Sequence, residues 1–322
     1  MTEPIRLPTL ETILAASRRI APCARRTPLV ELELGLKDRR VYLKLETLQP
    51  TGAFKIRPAL NAILSRDSAT LRHGVATVSS GNMALGLAWA ARVAGVPMAA
   101  YMPPNAPRPK LDGLRALGGD VRLVDDATWW AYIKGARQPP GTELFIHPVI
   151  DPAVLAGNGT IGLEIIEDLP EVDVVLAPYG GGSLAVGVAS AVKALKPMAR
   201  VVAVEAEHAT PLTAALAAGH PVEVPARASF IKSIGGPSVV PTLWPLAQAV
   251  IDGTAVVGLA QVVEAVQLLF AKAKIVAEGA GAVALAAAIH DPGSKGNVVC
   301  VVSGGNIEAT VFTQILSGTV PT

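Results

Sequence analysis

Three stretches of the chain repeat one pattern: a short apolar run, a turn of serine and glycine, then apolar residues at helical spacing. They are GVATVSSGNMALGLAWAARVAG, VDVVLAPYGGGSLAVGVASAVKAL and GNVVCVVSGGNIEATVFTQIL. Strands that are apolar almost throughout and alternate with helices predict a mostly parallel sheet covered on both faces. In such sheets ligands bind beyond the carboxyl ends of the strands, at the turns that enter the helices. Glycines there permit close backbone approach, and the unpaired N–H groups of the next helical turn attract an anion. GGGS (Gly180, Gly181, Gly182, Ser183) is a good phosphate cradle, although a tight strand–helix turn without a ligand would also explain it. Neither G-x-G-x-x-G near the start of the chain nor the P-loop pattern is present. The three turns, together with a lysine oddly placed at a helix start (Lys55), predict a small anionic cofactor gripped from several sides.

The stretch TGAFKIRPAL adds a reactive group. VYLKLE (Val41 to Glu46) reads as a strand, LQPTG as a turn, and AFKIRPALNAIL as a helix with Pro58 in its first turn, where a missing N–H costs nothing. A cation at the positive end of a helix is misplaced for stability. With Arg57 as near neighbour, the Lys55 ammonium is expected to be destabilised, which makes its amine a better nucleophile for Schiff-base chemistry. A lysine that simply points into water is the alternative.

Composition removes other classes. With 322 residues, a net charge of +2, scattered Lys and Arg, and 4% aromatic residues, the chain offers no basic stripe or stacking platform for nucleic acid. Val174 to Val192 is free of charge for 19 residues, but Pro178 and three glycines in a row argue for strand, turn and buried helix rather than a membrane span. The N-terminus lacks the apolar core of a signal peptide. Cys23 and Cys300 lie far apart, and His73, His147, His208, His220 and His290 lack metal-ligand spacing. These features predict a cytoplasmic protein without disulfide or metal.

Read in order, KLETLQPTGAFKIRPA, SSGNMALGLA, MPPNAPRPKLDGLRALGGDV, HPVIDPAVLAGNGTIGLEI, the GGGS turn, VAEGAGAVALAAA and CVVSGGNIE resemble the threonine dehydratase, serine dehydratase and serine racemase group of pyridoxal-phosphate enzymes. The resemblance runs from about Arg26 to Glu308 and implies the α/β fold shared with the tryptophan synthase β chain (fold type II). That fold has two domains, each a mostly parallel sheet flanked by helices, with the cofactor in the cleft between them. Residues 73–146 would form a small domain nested in a large one made of 1–72 and 147–322.

The resemblance also implies roles. Lys55 matches the lysine that carries pyridoxal 5′-phosphate as a Schiff base, and Asn82 the residue that bonds the cofactor's 3′-oxygen. Gly180, Gly181, Gly182 and Ser183 match the phosphate loop, and Ser303 the hydroxyl beside the pyridine nitrogen. Ser79, Ser80, Gly81 and Asn82 match the loop that holds the substrate carboxylate. Ser80 also matches the second proton-transfer group of serine racemases, or is a helix N-cap. Met83 stands where relatives carry histidine, Pro58 where they carry glycine, and Pro211 where metal-dependent relatives complete a cation site with Glu205. ARASFIKSIGG matches poorly the stretch that packs against the cofactor ring. Glu278 is a candidate buried carboxylate near the cofactor, and Trp129 and Trp130 are expected in core or lid packing.

The implied activity is dehydration of a β-hydroxy α-amino acid such as L-threonine or L-serine to a 2-oxo acid and ammonia, by a homodimer. Alternatives are an amino-acid racemase, a dehydratase of a less common β-hydroxy amino acid, a β-replacement synthase, or a non-catalytic cofactor carrier.

Overall fold

The computed structural model describes residues 5–79, 81–104, 106 and 108–321. The strands are β1 (Leu29–Leu32), β2 (Arg39–Leu45), β3 (Val75–Val78), β4 (Met98–Met102), β5 (Asp120–Leu123), β6 (Leu144–Phe145), β7 (Val174–Pro178), β8 (Arg200–Ala206), β9 (Gly253–Val257) and β10 (Gly296–Val302). They form two sheets, β1-β2-β10-β7-β8-β9 and β5-β4-β3-β6. Only the β1–β2 pair is antiparallel; the other named pairs run parallel. Residues 298–302 of β10 and 174–178 of β7 are buried without alternation, as central strands covered on both faces require.

β3 and β7 lead through their turns directly into the Asn82–Ala94 and Ser183–Leu195 helices. The third predicted unit departs from the pattern, because after β10 the next helix starts only at Ala309. The intervening glycines pair with other parts of the chain instead. Gly304 bridges to Ala53, its carbonyl accepts the Glu278 N–H, and Gly305 N–H reaches the Gly52 carbonyl. Backbone spent on those partners cannot open a helix.

The helix that follows Lys55 spans Ile56–Leu64, with Pro58 in its first turn as predicted. It is gripped from two sides at glycines. A Cβ on Gly86 of the Asn82–Ala94 helix would lie 2.9 Å from the Lys55 carbonyl carbon and oxygen. One on Gly157 of the Pro152–Asp168 helix would lie 2.6 Å from Pro58 Cα. Hydrogen-only residues at these positions let both helices approach the Lys55–Pro58 backbone directly.

Candidate active site

A cavity of about 380 Å³ opens where the turns after β3, β7 and β10 meet, and Lys55, Asn82, Gly180 to Ser183, Glu278 and Ser303 all line it. Lys55 occupies the N-cap position of its helix, and its Nζ lies 3.4 Å from the Pro148 carbonyl oxygen. Part of the side chain faces the cavity while protein surrounds the amine. That burial pulls its pKa from 10.5 down to about 8. The cause differs from the sequence expectation, which invoked the positive end of the helix with Arg57 as near neighbour. Arg57 turns away into a buried ionic cluster, with Nε 2.8 Å from Glu46 and Nη1 2.6 Å from Glu164. Lys44 reaches the same Glu164 at 2.6 Å. Burial works to raise the Glu164 carboxyl, but Arg57 and Lys44 together hold it below its usual range.

Around Lys55 the polar groups are already oriented. Asn82 Nδ2 donates to Glu278 Oε1 at 2.6 Å, and Asn82 Oδ1 accepts from Asn306 Nδ2 at 2.8 Å. These bonds fix the amide plane and leave the second Asn82 N–H to meet an oxygen. Glu278 also accepts from Ser233 Oγ at 3.4 Å. Ser303 is buried, and its hydroxyl contacts the Ala280 carbonyl at 3.4 Å. The Ser79 hydroxyl accepts the Gly81 N–H at 3.2 Å, and the N-cap of the Asn82–Ala94 helix is Gly81. Ser80 lies outside the described residues.

The glycine turn is packed so closely that side chains are excluded from it. Gly182 has φ +95°, and a Cβ there would lie 2.7 Å from Leu243 and 2.8 Å from the Tyr179 hydroxyl. A Cβ on Gly181 would strike Val149 at 2.6 Å. Ser183, the first residue of its helix, donates from Oγ to the Pro148 carbonyl at 3.3 Å. Lys55 and Ser183 therefore converge on one carbonyl.

Pro148 lies in the HPVIDPAVLAGNGTIGLEI stretch, where the sequence reading assigns it no role; His147 sets its place. Two backbone N–H groups, of Val149 and Ile150, point at His147 Nδ1 at 3.1 and 3.2 Å. Nδ1 must accept both, so the proton sits on Nε2, which faces the Tyr132 carbonyl at 3.1 Å. Burial drives the His147 pKa down to about 4 and keeps the ring neutral. Sequence reading also missed Asn306 as the second anchor of Asn82, although it closes the SGGN turn. Met83 is buried in the core and lines the cavity, so an apolar thioether side chain stands at that point of its wall. Trp129 and Trp130, expected in core or lid packing, line the cavity as well.

Glu205 is spent on structure. Its carboxylate accepts the Leu212 and Thr213 N–H groups, each at 2.8 Å, and the Thr213 hydroxyl at 2.6 Å. It thus caps the Pro211–Ala218 helix. Among the described residues no cluster of three His, Cys, Asp or Glu side chains has the geometry of a metal site. No described helix is long and apolar enough to cross a membrane.

The family profile described as "Pyridoxal-phosphate dependent enzyme" matches residues 20–304. The chain belongs to that family. It is 37% identical over 313 residues to an L-threonine ammonia-lyase of Thermotoga maritima, covering 96% of this chain and 78% of that protein. Its structure superposes on maize serine racemase with a TM-score of 0.89 at 31% identity, covering 97% and 98% of the two chains. It superposes on a threonine deaminase from T.th. with a TM-score of 0.82 at 36% identity, covering 94% and 99%. The fold is thus the type II fold of pyridoxal-phosphate enzymes.

The cavity fits that cofactor on its own chemistry. It offers an amine with a lowered pKa, a glycine turn at a helix N-terminus for a phosphate, and a buried hydroxyl just past the end of the neighbouring strand β10.

Proposed function

We propose that this chain is a β-eliminating ammonia-lyase that converts a β-hydroxy α-amino acid, such as L-threonine or L-serine, to a 2-oxo acid and ammonia. The observation that carries the reading is the convergence of Lys55 Nζ and Ser183 Oγ on the Pro148 carbonyl, at 3.4 and 3.3 Å. It holds a nucleophilic amine one hydrogen-bonding step from the phosphate cradle.

When bound, pyridoxal phosphate supplies the electron sink that acidifies the Cα–H bond of the amino acid. Lys55 is the residue that would carry it. The N–H groups of Gly180 to Ser183 would hold its phosphate, Asn82 its 3′-oxygen, and Ser303 its ring nitrogen. A serine hydroxyl at that nitrogen, rather than a carboxylate, suits a neutral ring. The 79–82 loop would hold the substrate carboxylate through its backbone. Lys55, with an amine that is largely neutral above pH 8, takes the Cα proton. The β-hydroxyl leaves as water, and hydrolysis of the remaining C–N bond releases ammonia and the 2-oxo acid. We further propose the nested division into 73–146 and the two flanks, no bound metal, a homodimer and a cytoplasmic location.

Borohydride reduction and peptide mapping test the lysine; the label should fall in the AFKIR peptide, and a label on another lysine sinks the assignment. Release of 2-oxo acid from a panel of β-hydroxy amino acids tests the reaction. The similarity to maize serine racemase favours racemisation as the second reading. It needs a proton donor on the face opposite Lys55, the role of Ser80. Ser80→Ala assayed with both enantiomers separates the two, since selective loss of D-isomer chemistry marks the two-face mechanism.

A further inference from the structure

The side of the cavity built on the four-stranded sheet has a polar part and an apolar part. Among the described residues, Ser79, Gly81 and Asn82 make the polar part, in the turn after β3. The apolar part is Val78, Met83 and, from the Asp126–Ile133 helix, Trp129, Trp130 and Ile133. Its side chains are hydrocarbon, thioether and indole. Trp129 and Ile133 pack against Val78, and Met83 is buried in the adjoining core. Asp125 anchors the helix as its N-cap, accepting the Thr128 N–H at 2.9 Å and the Thr128 hydroxyl at 2.7 Å. The Trp129 Nε1 is buried in this packing and presents no donor to the cavity.

Trp130 differs from its neighbours. It meets Trp129 edge to face with ring centroids 4.9 Å apart, yet it remains 38% exposed. It joins none of the hydrophobic cores formed by the described residues. A single exposed apolar side chain on an open surface needs no explanation. This indole faces a ligand cavity, where whatever covers it is removed from water with it.

The position of the substrate decides what that is. The turn proposed for the substrate carboxylate lies between Val78 and Met83 in sequence, so an amino acid pinned there has its Cα beside the apolar part. Gly180 to Ser183 and Ser303, proposed for the cofactor, follow strands of the other sheet. The substituent on the β-carbon is then the piece of the ligand free to cover Trp130. The β-hydrogen of serine or the methyl of threonine leaves most of an indole in water, and a polar substituent would give up water without gaining a partner.

We infer that the substrate is a β-hydroxy α-amino acid whose β-carbon bears an apolar group larger than methyl, seated against Trp130. This deepens the proposed elimination and rests on it. Loss of water across Cα–Cβ and hydrolysis of the C–N bond would turn β-hydroxyleucine, which carries an isopropyl group, into the branched 2-oxo acid and ammonia. Trp130 is the specificity-determining residue, since each extra methyl in an apolar pocket is worth about tenfold or more in kcat/KM.

The test compares three substrates on the cofactor-loaded enzyme. β-Hydroxyleucine and β-hydroxyasparagine have nearly the same shape and differ in polarity; L-threonine has the smaller methyl. We expect kcat/KM for β-hydroxyleucine to exceed that for each of the other two by about tenfold or more. Trp130→Ala should lower the ratio of β-hydroxyleucine to threonine by about tenfold, and Trp130→Phe, which keeps an aromatic ring, should restore most of it. A ratio of two substrates on one protein is insensitive to a fall in the folded fraction. Binding is read separately from turnover, by titrating the cofactor absorbance with L-leucine and L-asparagine, which lack the leaving hydroxyl; leucine should bind about tenfold more tightly. Equal binding of the two, a preference for threonine or β-hydroxyasparagine, or an unchanged ratio in Trp130→Ala each overturns the inference while leaving the ammonia-lyase reading intact. Failure of every compound to yield 2-oxo acid overturns that reading, and this one with it.

Discussion

Lys55 and Pro148 face each other as donor and acceptor, Nζ to carbonyl oxygen, at 3.4 Å. The bond holds the amine without neutralising it, since a carbonyl offers a dipole and no charge. Burial then decides the protonation state, and the pKa falls to about 8.

The first prediction follows from that value. A folded pKa of about 8 against 10.5 means that the unfolded chain binds more protons between the two. Stability from this group therefore rises with pH across that window, and its full cost is felt below pH 8. The reactive free amine likewise appears near pH 8. Cofactor-free protein mixed with pyridoxal phosphate and trapped with borohydride at a series of pH values should label Lys55 with a midpoint near 8. A midpoint near 10.5 would mean that the amine is fully solvated.

Arg57→Met should be among the most destabilising single changes. It leaves Glu46 and Glu164 buried against each other with Lys44 as the remaining cation. Breaking such a cluster costs about 3–5 kcal/mol. Urea unfolding at neutral pH should show a large fall in midpoint with an unchanged slope. In the wild type the Glu164 carboxyl is held below its ordinary value, so its contribution is present above pH 4.5 and lost as pH falls further.

Chelators should leave both melting temperature and activity unchanged, because the Glu205 carboxylate already accepts three hydrogen bonds from Leu212 and Thr213. Burial raises the Glu205 carboxyl in spite of those bonds, so the group is expensive to strip further. Thr213→Val should cost about 1–3 kcal/mol by thermal unfolding. A magnesium- or calcium-reversible loss on EDTA treatment would contradict the account of this carboxylate.

Ser303→Asp should damage turnover by at least tenfold while pyridoxal phosphate is retained. A carboxylate at the ring nitrogen would hold it protonated and change the electron sink, whereas the glycine cradle lies on another strand end. Cofactor content by absorbance, set beside kcat, checks this. Full turnover in the variant means Ser303 does not meet the nitrogen.

The sequence made the framework legible where local signals agree. β3 and β7 were readable because unbroken apolar runs ended in Gly-containing turns before helical spacing. Lys55 stood out because a lysine in that place fits no stability rule. What escaped was non-local. The turn after β10 has the same letters as the other two, yet its glycines pair with Ala53, Gly52 and Glu278, contacts that no window of sequence contains. Arg57 looked like a neighbour of Lys55 in sequence and is buried away from it, because Glu46 and Glu164 arrive from other elements. Pro148 acts through its backbone carbonyl, which residue identity does not mark, and the Asn306 amide finds its partner Asn82 across more than 200 positions of the sequence.

The two glycines against the Lys55–Pro58 backbone have a consequence for how this scaffold can change. Gly86 and Gly157 clamp the Lys55–Pro58 main chain between the Asn82–Ala94 and Pro152–Asp168 helices. Trp129, Trp130 and Ile133 line the cavity from a different helix, Asp126–Ile133, where Trp129 and Ile133 pack against Val78 of β3. Selectivity can therefore drift by exchange of a few wall residues while the reactive amine keeps its coordinates, which makes the Asp126–Ile133 helix a replaceable cassette for directed evolution of new substrates.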